Sequence, residues 1–426
     1  MLINKPRGTN DILPGTIEKW QALEKEVRYV SYLYGYEEIR TPIFEHTELF
    51  IRSVGETTDI VEKEMYTFLD RGERSITLRP EGTAPTVRAF VENKMFADIL
   101  PRKLYYLGPM FRYDRPQAGR YRQFHQFGVE VFGTVDPGID AEVILMAMDV
   151  LSRLGLKNLR VELNSVGCAA CRPRYLEKIR NLLLPQKERL CKTCQDRYVK
   201  NPLRILDCKS KDCQEIIGGI PSIVDYLCPT CREHFNMLRI YLDKLKISYR
   251  LDPKLVRGLD YYTMTAFEIV AEGIGAQSSI CGGGRYDGLI EQCGGPPLPG
   301  IGYAMGVERV LATMELQGVA VDQRERCDLY IATMGEQAQI EGARILYRMR
   351  INGIAAEKDY LGRSLKAQMK NAARLNAPYV LILGDKELQD NVVMLRKMAC
   401  SEQYEISVDK LEETLFSMIR EDKNSE

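Results

Sequence analysis

The stretch KLYYLGPMFRYDRPQAGRYRQFHQFGVEVFG, Lys103 to Gly133, is two apolar-rich runs about a polar turn, RPQAGR. It predicts a long antiparallel hairpin. Strand side chains alternate faces, so Arg120, Arg122, Phe124, Gln126 and Glu130 share one side of the second run. His125, Phe127, Val129 and Val131 take the other, which is fit for a core. The first set aligns two cations, an aromatic ring, an amide and a carboxylate. A solvent-facing strand accounts for the charges but leaves Phe124 unexplained. On the preceding run Arg112 and Asp114 also share a face. If the two faces coincide, guanidinium groups could hold phosphate at two points beside a ring on which a base stacks.

Around this hairpin the 426 residues exceed one ordinary core and imply two domains with an insertion. Apolar content of 45% and charged content of 28% fit a globular enzyme rather than a disordered or fibrous chain. The 59 basic and 59 acidic residues balance, so any polyanionic partner must meet a local patch. One candidate is Tyr347–Arg374, where seven cations stand against Glu357 and Asp359. Within it Lys366, Lys370 and Arg374 recur every four residues, on one face of a predicted helix. A merely solvated face is the plainer reading. The N-terminal MLINKPRGTNDILPG has no apolar run of signal-peptide length, and no stretch approaches the roughly 18 residues that span a bilayer, so a cytoplasmic location is expected.

Ile17, Trp20, Leu23, Val27, Val30 and Tyr34 predict an amphipathic helix from about Thr16, after the breaker LPG. YEEIRTPIFE reads as a strand, with Pro42 suited to an edge. Lys254–Val270, KLVRGLDYYTMTAFEIV, is fit to be a buried strand, yet carries Arg257, Asp260, Tyr261 and Tyr262. The glycines of GGGRYDGL match no phosphate loop and imply close backbone approach or a tight turn. Past Arg326, CDLYIAT and PYVLILG alternate with helical patterns, which predicts a small α/β domain with a partly parallel sheet.

The hairpin segment FRYDRPQAGRYRQFHQFGVEVFG resembles motif 2 of the class II aminoacyl-tRNA synthetases, PGIGYAMGVERV their motif 3, and EEIRTPIFE their motif 1. RGTNDILPG, TLRPEGTAPTVRA, LVRGLDYYTMTAFEI and GGGRYDGL narrow the resemblance to the histidyl-tRNA synthetases, from Arg7 to about Val310. It implies an α+β fold, an antiparallel sheet flanked by helices, over residues 1–325, with a Cys-rich insertion near 168–235. Residues 326–426 then form an α/β anticodon-binding domain. The implied reaction joins L-histidine to its tRNA through histidyl-adenylate, using ATP with Mg2+, in a homodimer. By the same resemblance Arg112 and Arg257 act at the α-phosphate, Phe124 packs on adenine, and Arg120 and Arg309 meet the terminal phosphates. Asp114 stands where many motif 2 sequences carry glutamate. Glu130 and Tyr262 would hold the imidazole, Tyr261 and Tyr286 line the pocket, and Glu81, Thr83 and Gln126 hold the α-amino group. Gln117 would approach the acceptor end of the tRNA, while Lys366, Lys370 and Arg374 gain weight as anticodon-side contacts. No proton need leave the attacking carboxylate, which suits a chain with three histidines. The alternative is the histidine-sensing regulatory subunit of ATP phosphoribosyltransferase, whose members usually lack the last domain and alter RGLDYY.

Eight of the twelve cysteines fall within Cys168–Cys231, at the spacing of structural zinc sites. A nested arrangement predicts one Zn2+ at Cys191, Cys194, Cys208 and Cys213, and another where Cys168 and Cys171 meet Cys228 and Cys231. Reduced cysteines in a small subdomain are the alternative.

Overall fold

A computed structural model describes residues 3–56, 58–116, 119–271, 279–321, 327–400 and 402–424, with side chains through 419. The chain divides into two compact units, Met1–Val321 and Asp322–Glu426.

The first unit is built on an eight-stranded sheet. In spatial order its strands are Glu37–Glu38, Arg102–Phe111, Gln123–Phe132, Gly300–Gly306, Ser279–Arg285, Thr263–Ala271, Leu159–Gly167 and Tyr249–Leu251. The inner pairs are antiparallel, and the two outermost strands pair parallel with their neighbours. The hairpin forms with the expected partners, from Arg102 opposite Phe132 to Phe111 opposite Gln123. Phe127, Val129 and Val131 enter the main core, as their alternation requires. The helices Ile17–Leu33, Pro137–Arg153, Pro229–Lys244 and Val307–Leu316 supply its other wall, with Trp20, Leu23, Val27 and Val30 inward on the first of them. The opposite face carries Phe132, Tyr261, Tyr262 and Tyr286, packed with Val87 and Phe90 of the helix Thr83–Glu92.

Two strand readings are corrected, and the glycine reading divides between its two alternatives. YEEIRTPIFE is not one strand: Glu37–Glu38 joins the large sheet, and Phe44–His46 pairs with Ser75–Leu78 in a separate three-stranded sheet. Pro42, with no backbone N–H to give a ladder, falls in the break. The strand within Lys254–Val270 begins only at Thr263, so Arg257, Tyr261 and Tyr262 stand on the loop that enters it. Of the glycines of GGGRYDGL, Gly282, Gly283 and Gly284 lie inside the strand Ser279–Arg285, where close backbone approach is what they allow, and Gly288 takes the turn after it with φ +99°.

Between the strand Leu159–Gly167 and the helix Pro229–Lys244, the helices Arg172–Leu183, Lys192–Lys200 and Lys211–Ile217 enclose a small core. Tyr175, Ile179, Ile205 and Ile217 are among its buried residues, together with Cys194, Cys208 and Cys213.

The second unit is a five-stranded sheet. Leu329–Met334 lies parallel to both Ala356–Lys358 and Tyr379–Gly384, and Val392–Lys397 and Gln403–Ser407 continue the sheet antiparallel. This is the partly parallel α/β arrangement expected.

Candidate active site

The pocket under the helix Thr83–Glu92 is polar where a core would be apolar. Glu81, three per cent exposed, accepts hydrogen bonds from the amides of Thr83 (2.7 Å) and Ala84 (2.8 Å), the free donors of that helix's first turn. The Thr83 hydroxyl donates to Glu130 (2.7 Å), and the Tyr286 hydroxyl donates to its other oxygen. Burial pushes the Glu130 carboxyl up to about 8, against the lowering influence of those hydroxyls. Glu81 is likewise raised by burial. Tyr261 packs against both Tyr262 and Tyr286, with centroids 4.7 and 5.6 Å apart. The acceptor oxygen of Gln126 is buried without a hydrogen-bond partner among the described residues, an arrangement that calls for a donor from a ligand.

Cations adjoin this pocket. Arg112 directs its Nε to the Pro80 carbonyl (2.8 Å) and lies 5.2 Å from the centre of the Phe124 ring. Arg257 pairs with Glu268 and stands 5.8 Å from the Tyr262 ring, while its Nε is another buried donor without a partner among the described residues. Burial is the largest single influence and works against its charge, but Glu268 and Tyr262 together outweigh it and hold the pKa above the ordinary arginine value. Arg309 donates to the Ser279 carbonyl (2.8 Å). Its pKa is lowered by burial and then by the charge of Arg120, with Arg112 and Arg257 acting in the same direction. The charges of three other arginines thus act against that of Arg309, a cost that an anionic ligand beside it removes. Arg120 retains one partner, Asp114, at 3.1 Å.

Two glycines leave the room these side chains occupy. A Cβ on Gly282 would overlap the Arg257 guanidinium, and one on Gly302 would overlap the Glu130 carboxylate. Glu268, on the strand Thr263–Ala271, was missed in the sequence reading although it is a lone acid in an apolar strand. Neither buried-face histidine belongs here: His125 bonds Glu308 (3.0 Å), and His234 bonds Asp140 (2.9 Å). Asp140 also receives Thr265 and Arg285, closing a separate buried network.

The eight insertion cysteines form two groups, Cys168, Cys171, Cys228 and Cys231 and Cys191, Cys194, Cys208 and Cys213, each with all four Sγ atoms within 4.8 Å. Measured Sγ separations are 3.6, 3.9 and 3.8 Å. These are far beyond a disulfide and match the roughly 3.8 Å edge of a tetrahedron with Zn–S near 2.3 Å. The amides of Cys228 and Cys191 donate to Cys171 and Cys213, an arrangement that favours thiolate.

Gln117 lies outside the described residues. In the second unit Lys366, Lys370 and Arg374 lie on the helix Leu365–Arg374, all exposed. Arg350 and Arg363 of the basic segment pair with Glu357 and Asp359, and Arg348 pairs with Glu412. Among the described residues no helix is long and apolar enough to cross a membrane.

Comparison with known proteins gives two family matches: Histidyl-tRNA synthetase over residues 8–171 and 228–310, and Anticodon binding domain over 328–417. The first breaks at the cysteine-rich insertion. A histidine–tRNA ligase of Desulforamulus reducens is 62% identical over 411 residues, 96% of this chain and 98% of that protein. One of Pelotomaculum thermopropionicum is 56% identical over 425 residues and the full length of both. The crystal structure of apo S. aureus histidyl-tRNA synthetase superposes with a TM-score of 0.84 at 44% identity, covering 97% of this chain and 100% of that one. Full-length identity at this level does not favour the regulatory-subunit alternative. The chain belongs to the histidyl-tRNA synthetase family.

Proposed function

We propose that the pocket activates L-histidine with ATP as histidyl-adenylate and passes the histidyl group to its tRNA, the reaction of the family. The observation that carries this reading is that Arg112, Arg120 and Arg257 all stand close enough to Arg309 for their charges to act on it. The α-carboxylate of histidine attacks the α-phosphorus in line, and pyrophosphate leaves with its bonding electron pair. Negative charge grows on the non-bridging oxygens, where Arg112 and Arg257 stabilise it. ATP enters as its Mg2+ complex, with Phe124 under the adenine and Arg120 and Arg309 on the outer phosphates. No general base is needed.

Selection of histidine rests on both ring nitrogens. Neutral imidazole has one donor and one acceptor. Glu130 takes the donated proton and the Tyr262 hydroxyl serves the acceptor, while Tyr261 and Tyr286 close the sides. Glu81, Thr83 and the unpartnered Gln126 oxygen receive the α-ammonium group. A site built on such bonds rejects analogues lacking them by about 10⁴ to 10⁵.

Each four-cysteine group holds one structural Zn2+, which closes the insertion by cross-linking it. Lys366, Lys370 and Arg374 contact tRNA phosphates. The enzyme acts in the cytoplasm as a homodimer, for which the exposed Ile43 and Phe44 beside Pro42 offer an apolar face; sedimentation velocity would give twice the chain mass. The division near residue 325 separates activation from anticodon recognition.

The test is ATP–pyrophosphate exchange with each of the twenty amino acids in turn, without tRNA. Exchange with histidine alone is expected. Histidine binding without exchange would return the reading to a sensor.

A further inference from the structure

The insertion reaches the histidine pocket through residues that lie between two of its cysteines. Arg197, Lys200, Asn201 and Arg204 fall between Cys194 and Cys208, the first two on the helix Lys192–Lys200, Arg204 on the 3-10 turn Pro202–Asp207, and Asn201 at the joint between them. Arg197 and Arg204 both donate to the same oxygen of Asp59, each at 3.1 Å. Lys200 bonds Glu62 at 2.6 Å, and the Asn201 amide donates to Asp260 at 2.8 Å. The gripped acids belong to two segments that flank the site. Asp260 immediately precedes Tyr261 and Tyr262, three residues after Arg257. Asp59 and Glu62 belong to the turn leading to Glu64, whose carbonyl accepts the amide of Tyr113 beside Arg112. The two segments are themselves joined, since the amide of Asp260 donates to the carbonyl of Val54 (3.1 Å). On the other side of the pocket, Arg172, next to Cys171, donates to the carbonyl of Tyr262.

A loop carrying the amino-acid pocket is thus held by side chains of the segment Lys192–Asp207, a short helix and a 3-10 turn that pack on the insertion's own small core through Ile205 and Leu206. Cross-linking that backbone at Cys191, Cys194, Cys208 and Cys213 removes the freedom that Asn201 and the two arginines would otherwise have to lose on docking.

We propose that the Cys191–Cys213 knot is a brace for the histidine pocket, with Asn201 its positioning residue, so that losing the knot or the Asn201–Asp260 bond weakens histidine binding selectively. This rests on the metal reading for the knot's cross-link; the Asn201–Asp260 bond stands independently of it. A bond from a neutral donor to a carboxylate is worth about one order of magnitude in affinity when its loss frees the loop it holds.

The test uses the full chain and ATP–pyrophosphate exchange. Asn201→Ala should raise KM for histidine about tenfold while KM for ATP and the zinc content stay at wild-type values. Asn201→Asp sets two carboxylates together and should raise it further; adding Asp260→Asn restores a complementary pair and should recover most of the loss. Cys191→Ser with Cys208→Ser should remove one of two zinc ions per chain and reproduce the Asn201→Ala shift. Unchanged KM for histidine in the Asn201 variants, or an equal rise in both KM values, overturns the brace. Wild-type protein free of zinc overturns the metal reading instead, and the Asn201 variants then decide the brace alone. Loss of one zinc with unchanged histidine KM leaves the metal reading standing and overturns its link to the pocket.

Discussion

Arginines in the first unit meet two opposite fates. Arg285, one per cent exposed, is matched by Asp140 and by the carbonyls of Thr134 and Asp136. Arg309 instead feels the charges of Arg120, Arg112 and Arg257 against its own, with Glu268 opposing them. A cation satisfied on every side is part of the scaffold, whereas several held together at a cost await an anion. The sharpest way to break this distinction is to remove one arginine of each kind. Arg257→Ala should reduce kcat for ATP–pyrophosphate exchange about 100- to 1000-fold with the folded structure retained by circular dichroism. Normal turnover would end its assignment to the reacting phosphate.

Arg285→Ala should do the reverse. Asp140 would lose its partner in a fully buried position, leaving His234 and Thr265 to meet it among the described residues. Breaking one side of such a pair costs about 3–5 kcal/mol, readable as a lower urea midpoint. Exchange activity per folded molecule should fall much less than in Arg257→Ala. A stable Arg285→Ala protein with a large kcat defect would place Arg285 among the reacting cations and erase the contrast.

The two groups also differ in how far the sequence disclosed them. Alternation along the strand Gln123–Phe132 correctly separated Glu130 from Val129 and Val131, because a two-residue period survives whatever packs on each face. The cysteine groups were legible because their ligand pairs are local in sequence and their spacing is set by metal geometry. Spacing could not disclose that Arg257 stands on a loop, since apolar Leu255 and Val256 precede it in the rhythm of a strand. Nor could it explain Gly282 and Gly302, whose missing side chains make sense only once Arg257 from its loop and Glu130 from a neighbouring strand are brought against them. Asp140 and Arg285 are 145 positions apart, and only the sheet brings them together.

Glu130 sharpens the comparison from the side of the acids. A carboxyl raised from its ordinary 4.5 to about 8 holds a proton in the folded chain that the unfolded chain has lost. Stability from this residue is therefore greatest at low pH and declines as pH rises through that window. Ionisation near 8 creates the acceptor that an imidazole N–H requires, so KM for histidine should fall as pH climbs from about 7 to 8.5. Glu130→Gln should raise KM about 10- to 100-fold and flatten that dependence. An unchanged pH profile in the variant would assign the titration elsewhere.

The second unit offers the mildest form of the same test. Arg348, Arg350 and Arg363 are partnered by acids, whereas Lys366, Lys370 and Arg374 form one exposed row. Exposed cations cost the fold almost nothing to keep or lose, so replacing all three with glutamine should leave the melting temperature and ATP–pyrophosphate exchange unchanged. If the row meets phosphate, each contact displaces counterions, and KM for tRNA in aminoacylation should rise about fivefold with a shallower dependence on salt. Replacing Arg350 and Arg363 instead should move the tRNA term less, because their charge is already engaged within the unit. Equal effects from the triple and the double replacement would mean that net charge, not the exposed row, attracts the tRNA.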